Sequence, residues 1–371
     1  MRVLIAGDFC PKDRVASMLE KRDFASVLGD VKDIVSKADY SFVNFECPVV
    51  TGNAKPIEKL GPNLKCSEKG LEAIRWAGFN CVTLANNHFY DYGDKGVTET
   101  LDTCERLGID YVGGGRNIKE AVHILNKNIG NQTLAIINCC EHEFSIATES
   151  TGGANPLNPV QQYYAIKEAK KEADRVLVIV HGGHEHFQLP SPRMVETYRF
   201  FIDAGADAVV NHHQHCYSGY EVYNGKPIFY GIGNFCFDNP QKHNGFWTEG
   251  YAITIDLTPE NPSFILHPYI QCADDARVKL LPKNSFDNKI GELNNSIVSP
   301  NELLDKVNQY YAEFTKSYSD FFEPFRNRFY ISAKHRGWLP SFVKKRNTLL
   351  YRNHILCESH RDKLSYWLIH K

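Results

Sequence analysis

Residues 175–181 read Arg-Val-Leu-Val-Ile-Val-His, five consecutive aliphatic residues closed by an imidazole. Such a β-branched run is too short for a helix and has the pattern of a strand buried on both faces, as in a parallel sheet. Its last residue then sits at the strand's carboxyl edge. Working outward, the same arrangement recurs. Residues 2–6 (RVLIA) run into Gly7 and Asp8, and 40–45 (YSFVNF) into Glu46 with Pro48 just beyond. Residues 79–84 (FNCVTL) run into Ala85-Asn86-Asn87-His88, and 207–210 (DAVV) into Asn211-His212-His213-Gln214-His215. Helical periodicity falls between these strands, at about 67–77, 93–107, 160–173 and 192–204, with further strands near Tyr111 and at 133–139. Alternating β and α elements define an α/β fold, and such folds bind ligands beyond the carboxyl ends of their strands. Five separate ends here each deliver an oxygen or nitrogen donor.

The later body reads differently. Residues 218–223, 226–232 and 250–256 are strand-like and joined by tight turns such as Asn224-Gly225, so this part is expected to be antiparallel. From Pro282 the chain becomes helical, aromatic and basic, with an Asn-rich linker at 293–301. Two parts are therefore expected, 1–281 and a C-terminal helical basic appendage, 282–371. Residues 301–371 hold 13 Lys/Arg against 7 Asp/Glu, so the formal net charge of -2 conceals an acidic body and a basic tail.

At 43% apolar and 23% charged residues, the composition is that of a globular protein with a sizeable core. No apolar run reaches the roughly 18 residues of a membrane span, and the N-terminal run is too short for a signal peptide. A cytoplasmic location is expected. The basic run Lys344-Lys345-Arg346, near Trp338, Phe342 and Tyr351, could also contact a membrane surface, an anionic polymer or a partner. The 11 cysteines are scattered through apolar segments without a C-x-x-C pair, which favours reduced, buried thiols over a disulfide framework.

Carboxylate, amide and imidazole donors without a thiolate cluster suit a catalytic divalent ion such as Mn²⁺, Fe²⁺ or Zn²⁺ better than a structural Cys₄ zinc. His213 and His215, two residues apart, point the same way if that segment is extended, and His212 points the other way. Asp8 by itself has a second reading as a helix N-cap. Glu46, followed by Cys47-Pro48 after an apolar strand, has few structural reasons to be there. Asn234, Asp238 and Glu185 suit second-layer support or turn shaping, and His184 and His186 suit solvated loop positions. Gly113-Gly114-Gly115-Arg116 lacks the Lys-Ser/Thr of a phosphate loop and reads as a turn. Nothing in the chain matches a nucleic-acid-binding motif.

Taken in order, the motifs resemble one family. They are Gly7-Asp8, Asn44-Phe45-Glu46-Cys47-Pro48, Asn86-Asn87-His88-Phe89-Tyr90-Asp91-Tyr92-Gly93, His181-Gly182-Gly183-His184-Glu185, the stretch Gly205 through His215, and Gly225 through Asp238. This series resembles the CapA-type capsule-synthesis proteins, associated with poly-γ-glutamate capsules, of the calcineurin-like metallophosphoesterase superfamily. The resemblance spans roughly residues 1–256. It implies a four-layer α/β/β/α sandwich and two divalent ions. It further implies that Asp8 and His215 bind one ion, that Asn87, His181 and His213 bind the other, and that Glu46 bridges them. A metal-activated hydroxide attacking the phosphorus of a phosphate-containing, capsule- or polymer-related substrate follows from the same resemblance. His88, oriented by Asp91, would donate a proton to the leaving group.

Position 10 departs from the wider superfamily, which has His where this chain has Cys10. A thiolate at Cys10 would be a seventh ligand, whereas a packed core thiol would leave the first ion one protein ligand short. The second case keeps open a non-hydrolytic, metal-binding accessory subunit of a capsule-polymer synthesis or export complex.

Overall fold

The computed structural model describes residues 1–242, 245–258, 260–320 and 322–356. The chain first lays down parallel strands β1 (Arg2–Cys10), β2 (Tyr40–Phe45), β3 (Cys81–Thr83) and β4 (Asp110–Val112). After the two-residue β5 (Gly114–Gly115), the hairpin β6 (Leu125–Ile129) and β7 (Gln132–Cys140) opens a second sheet. Beyond β8 (Gly153–Ala154), which pairs with β5, that sheet continues through parallel β9 (Arg175–His181) and β10 (Ala208–His212). The hairpin β11 (Tyr220–Tyr223) and β12 (Lys226–Phe229) completes it. The chain then returns to the first sheet through β13 (Asn234–Phe237), β14 (Glu249–Asp256), β15 (Ser263–Gln271) and β16 (Val278–Leu280). The resulting orders are β16-β15-β14-β1-β2-β3-β4, with β13 also paired to β1, and β11-β12-β10-β9-β7-β6.

Alternation along the strands builds the layers, because successive side chains leave a strand on opposite faces. Val3, Ile5 and Phe42 of the first sheet share one buried cluster with Leu177, Ile179 and Val210 of the second. The intervening residues Leu4, Ala6 and Val43 pack on the other face against Val15, Leu71, Ile74 and Val97 of the covering helices. Helices Pro159–Glu172 and Pro192–Ala204 cover the outer face of the second sheet. Each is started by a side-chain cap, Asn158 and Ser191, with proline next. The architecture is the expected α/β/β/α sandwich, and each fully buried aliphatic side chain contributes about 1.5–3 kcal/mol toward it.

One expectation changes. The 224–225 turn does form, with φ 49 at Asn224 and 76 at Gly225, and β14, β15 and β16 are antiparallel. Yet β12 runs parallel to β10, and β13 parallel to β1, so these two strands lie in different sheets. A local hydrophobic pattern reports that a strand is buried and is silent about which distant neighbour covers it. Helix Asp287–Val298 packs on β11 and places Ile290 in the inter-sheet core, and the two compact units are Met1–Leu304 and Asp305–Lys371.

The junction of β1 with its neighbours is irregular at one place. Register slips between Ala6 and Asp8 against β2 and between Asp8 and Phe9 against β13, a bulge that turns the Asp8 carboxylate out of the ladder. Asp8 N donates to Gly233 O at 3.2 Å, and a Cβ on Gly7 would stand 1.9 Å from that same oxygen. Gly7→Ala therefore should destabilise the protein by about 3 kcal/mol or more in thermal or denaturant unfolding, because β1 and β13 must separate. Gly29→Ala, at helical φ with nothing within 4 Å of its new Cβ, should leave the midpoint unchanged or raise it slightly. Equal behaviour of the two variants would refute the close approach.

Candidate metal centre

Six polar side chains meet at the carboxyl ends of both sheets, each exposed by 6% or less. Asp8 comes from the β1 bulge, Glu46 directly follows β2, and His181 ends β9. Asn87 lies in the turn after β3. That turn is fixed by Asn86, whose Nδ2 donates to Phe45 O at 2.9 Å and whose Oδ1 accepts from His88 N at 3.1 Å. His213 and His215 follow β10. They converge for a reason other than an extended backbone. Both are left-handed, with φ 90 and 55, a conformation that costs a non-glycine residue about 1 kcal/mol or more.

Two groups of donor atoms result, Glu46 with His181 and His213, and Asp8 with Glu46 and His215, all within 4.8 Å of one another in each group. His181 Nε2 lies 3.1 Å from Asn87 Oδ1, 3.1 Å from His213 Nδ1 and 3.7 Å from Glu46 Oε1. His215 Nε2 is 3.7 Å from the same Glu46 oxygen, and His215 Nδ1 is 3.7 Å from Asp8 Oδ2. Glu46 thus belongs to both groups. It is wholly buried, and neither of its oxygens has a hydrogen-bond partner among the described residues.

A carboxylate in that position is out of balance with its surroundings. Burial pushes Glu46 well above the ordinary carboxylate range and Asp8 up to about 7, and Asp8 adds repulsion on Glu46. Two such charges within 4.8 Å of each other would repel by at least about 3 kcal/mol at an effective dielectric near 20. Burial likewise holds His181 and His215 well below the usual histidine range, which keeps their nitrogens neutral and available as donors. Two anionic oxygens, neutral imidazoles and an amide oxygen are the donor set of a borderline divalent cation, so the residues fit such a group.

A surrounding layer orients these groups. Asn44 Nδ2 donates to Asp8 Oδ1 at 2.8 Å, and Asn234 Oδ1 meets His215 Nδ1 at 2.9 Å. Glu143 accepts from Asn87 Nδ2 at 3.2 Å and stands 3.8 Å from His213 Nε2. Of these three, only Asn234 is marked as a supporting residue by the sequence. The predicted His88 and Asp91 pair forms, with His88 Nδ1 2.7 Å from Asp91 Oδ2. It has a partner that sequence reasoning missed. Lys59, its side chain 2% exposed, pairs with Asp91 and lies 3.2 Å from His88 Nδ1, while Leu64 N donates to Asp91 Oδ2 at 2.6 Å. One lysine in a polar loop carries no periodic signal that would have marked it.

Residues 2–239 match the family model described as bacterial capsule synthesis protein PGA_cap. The chain belongs to the PGA_cap family. Similar curated proteins include the capsule biosynthesis protein CapA of Bacillus anthracis, 33% identical over 246 residues covering 64% of this chain and 60% of that one. The PGA biosynthesis protein CapA of Bacillus subtilis (strain 168) is 33% identical over 236 residues, 62% of either chain. The chain thus spans about 60% of the length of these relatives. Solved structures that are similar include a novel phosphatase from Mycoplasma pneumoniae, at 16% identity and TM-score 0.46 over 73% of this chain and 93% of that one. A hypothetical protein from Thermus thermophilus is similar at 16% identity and TM-score 0.46, over 76% and 100%.

The PGA_cap segment contains every residue of the site, and the structure also places the remaining candidates within it. Cys10 is completely buried in the hydrophobic cluster beside Cys47 and is in neither donor group. His212 faces away, its Nε2 3.1 Å from Ala6 O, and burial pushes it down to about 4. Asp238 is paired with Arg14, and Arg116 with Asp102 and Glu105 at the surface. His186 stands at the rim, 2.9 Å from Lys242 Nζ, with its ring 6.0 Å from that of His215. All ten described cysteines are free and buried, as expected from their scatter.

Glu46→Gln tests the imbalance. A carboxylate held above its unfolded value lowers the stability of the metal-free protein progressively as pH rises. Metal-free Glu46→Gln should therefore melt higher than the metal-free parent at about pH 8 and lose that advantage toward about pH 5. It should also bind less divalent metal by elemental analysis. A variant that keeps full metal content, or gains nothing at alkaline pH, would show that Glu46 is satisfied in another way.

Proposed function

We propose that this PGA_cap protein is a metal-dependent phosphoester hydrolase serving the synthesis of a capsule or other surface polymer. The observation that carries the reading is Glu46, a buried carboxylate without a hydrogen-bond partner among the described residues, shared by two donor groups. In this reading two divalent ions, of the Mn, Fe or Zn type, would be held by Asp8 and His215 and by Asn87, His181 and His213, with Glu46 available to both. Such ions supply Lewis-acid stabilisation of charge on a phosphoryl group and make water nucleophilic near neutral pH.

The chain's own residues do the rest. Asn44 and Asn234 hold Asp8 and His215 at fixed orientation, and Glu143 does the same for Asn87. Asp91 accepts from His88 Nδ1, which fixes the ring and leaves Nε2 to exchange a proton with a leaving-group oxygen. The Lys59 ammonium keeps the Asp91 carboxylate in place and adds positive charge beside a site meant for an anionic substrate. Cys10 is assigned to packing, since its thiol lies in the apolar cluster.

Purified protein loaded with Mn²⁺ should hydrolyse a generic aryl phosphate mono- or diester. Metal-stripped protein and His213→Ala should be inactive. His88→Ala should lose about 10²–10⁴ in kcat while keeping its metal, and Cys10→Ser should keep both metal and activity. Tightly bound metal with no turnover on either ester would reject this reading in favour of a non-hydrolytic accessory role.

A further inference from the structure

The unit Asp305–Lys371 carries an unusual surface within its described residues. Residues 322–356 contain eight Lys/Arg and a single acid, Glu323. That acid is buried at the centre of a small knot, where it accepts from Ser341 Oγ at 2.5 Å, Tyr330 OH at 2.8 Å and Phe342 N at 3.0 Å, and pairs with Lys334 at 3.1 Å. Tyr330 stacks on Phe342 with centroids 5.8 Å apart, and Asn327 caps helix Arg328–His335. The knot gives the segment a defined shape. Around it stand exposed Phe325, Phe329, Trp338, Leu349 and Leu350, with Phe329 exposed by 78% and Trp338 by 69%. Exposed Arg328, Arg336, Lys344, Lys345, Arg346 and Arg352 are interspersed among them, and Arg336 lies 5.0 Å over the Trp338 ring.

We infer that this unit docks on an anionic phospholipid bilayer, independently of the reaction proposed above. Large aromatic and aliphatic side chains left in water are unfavourable, and cations mixed among them disfavour self-association. An anionic bilayer interface satisfies both at once. Trp, Phe and Leu enter the headgroup and acyl boundary, while Lys and Arg meet lipid phosphates. A soluble polyanion would use the cations and leave Phe329 and Trp338 exposed. No described helix is long and apolar enough to cross a membrane.

Co-sedimentation of the full-length protein with vesicles tests this. Vesicles containing phosphatidylglycerol in phosphatidylcholine should bind the protein, added salt should weaken binding, and pure phosphatidylcholine should bind it far less. Each basic residue near such a surface is worth about fivefold, so Lys344→Glu/Lys345→Glu/Arg346→Glu should lower affinity roughly 100-fold or more. Phe329→Ser/Trp338→Ser should lower it about tenfold or more, with circular dichroism and metal content unchanged in both variants. Absence of binding to every vesicle, or parental binding by either variant, would overturn the inference.

Discussion

Everything at the carboxyl ends of the two sheets turns on a buried carboxyl whose ionised form the protein itself does not stabilise. Glu46 is sealed between the layers, with Asp8 as its close neighbour and no donor on either oxygen among the described residues. A folded chain avoids such an arrangement unless something gained from it exceeds the desolvation cost. Around it the backbone departs from its preferred states. Gly7 yields its side chain to let β13 approach, the β1 ladder slips at Asp8, and His213 and His215 both sit at positive φ. Departures of this kind cluster where a site must be held in one geometry.

The second organising group is Asp91. It is wholly buried and receives His88, Lys59 and the Leu64 amide, and its carbonyl accepts from Ile57 N at 2.9 Å. The long loop between β2 and helix Lys69–Ala77 is therefore tied to the turn after β3 through one carboxylate. That couples loop placement to the orientation of His88.

Family membership explains less than it names. The matched region ends at 239, inside the first unit, so β14, β15, β16 and the basic second unit lie outside it. Those three strands complete the sheet that carries Asp8, and β14 pairs directly with β1. They belong to the scaffold of the site although no motif marks them.

From the sequence alone, the strands that lead to Glu46, Asn87 and His181 were legible, because a buried apolar run that gives way to a polar residue is a local pattern; β1 was legible too, but it continues through Asp8 to Cys10. The class of fold and the chemistry of the donors followed from that. The pairing of His88 with Asp91 was also legible, since their close spacing is one that a single turn can close. Tertiary structure alone decided the rest. The parallel placement of β12 and β13, the left-handed turn that aims His213 and His215, and the approach of Lys59, Asn44 and Glu143 depend on segments far apart in the chain meeting in space. Cys10 shows the limit most plainly. Its identity allowed a ligand or a core thiol, and only the packing of β1 against its helices put it in the apolar cluster. Periodicity encodes which face is buried, and contact between distant segments is settled by the packing of whole layers.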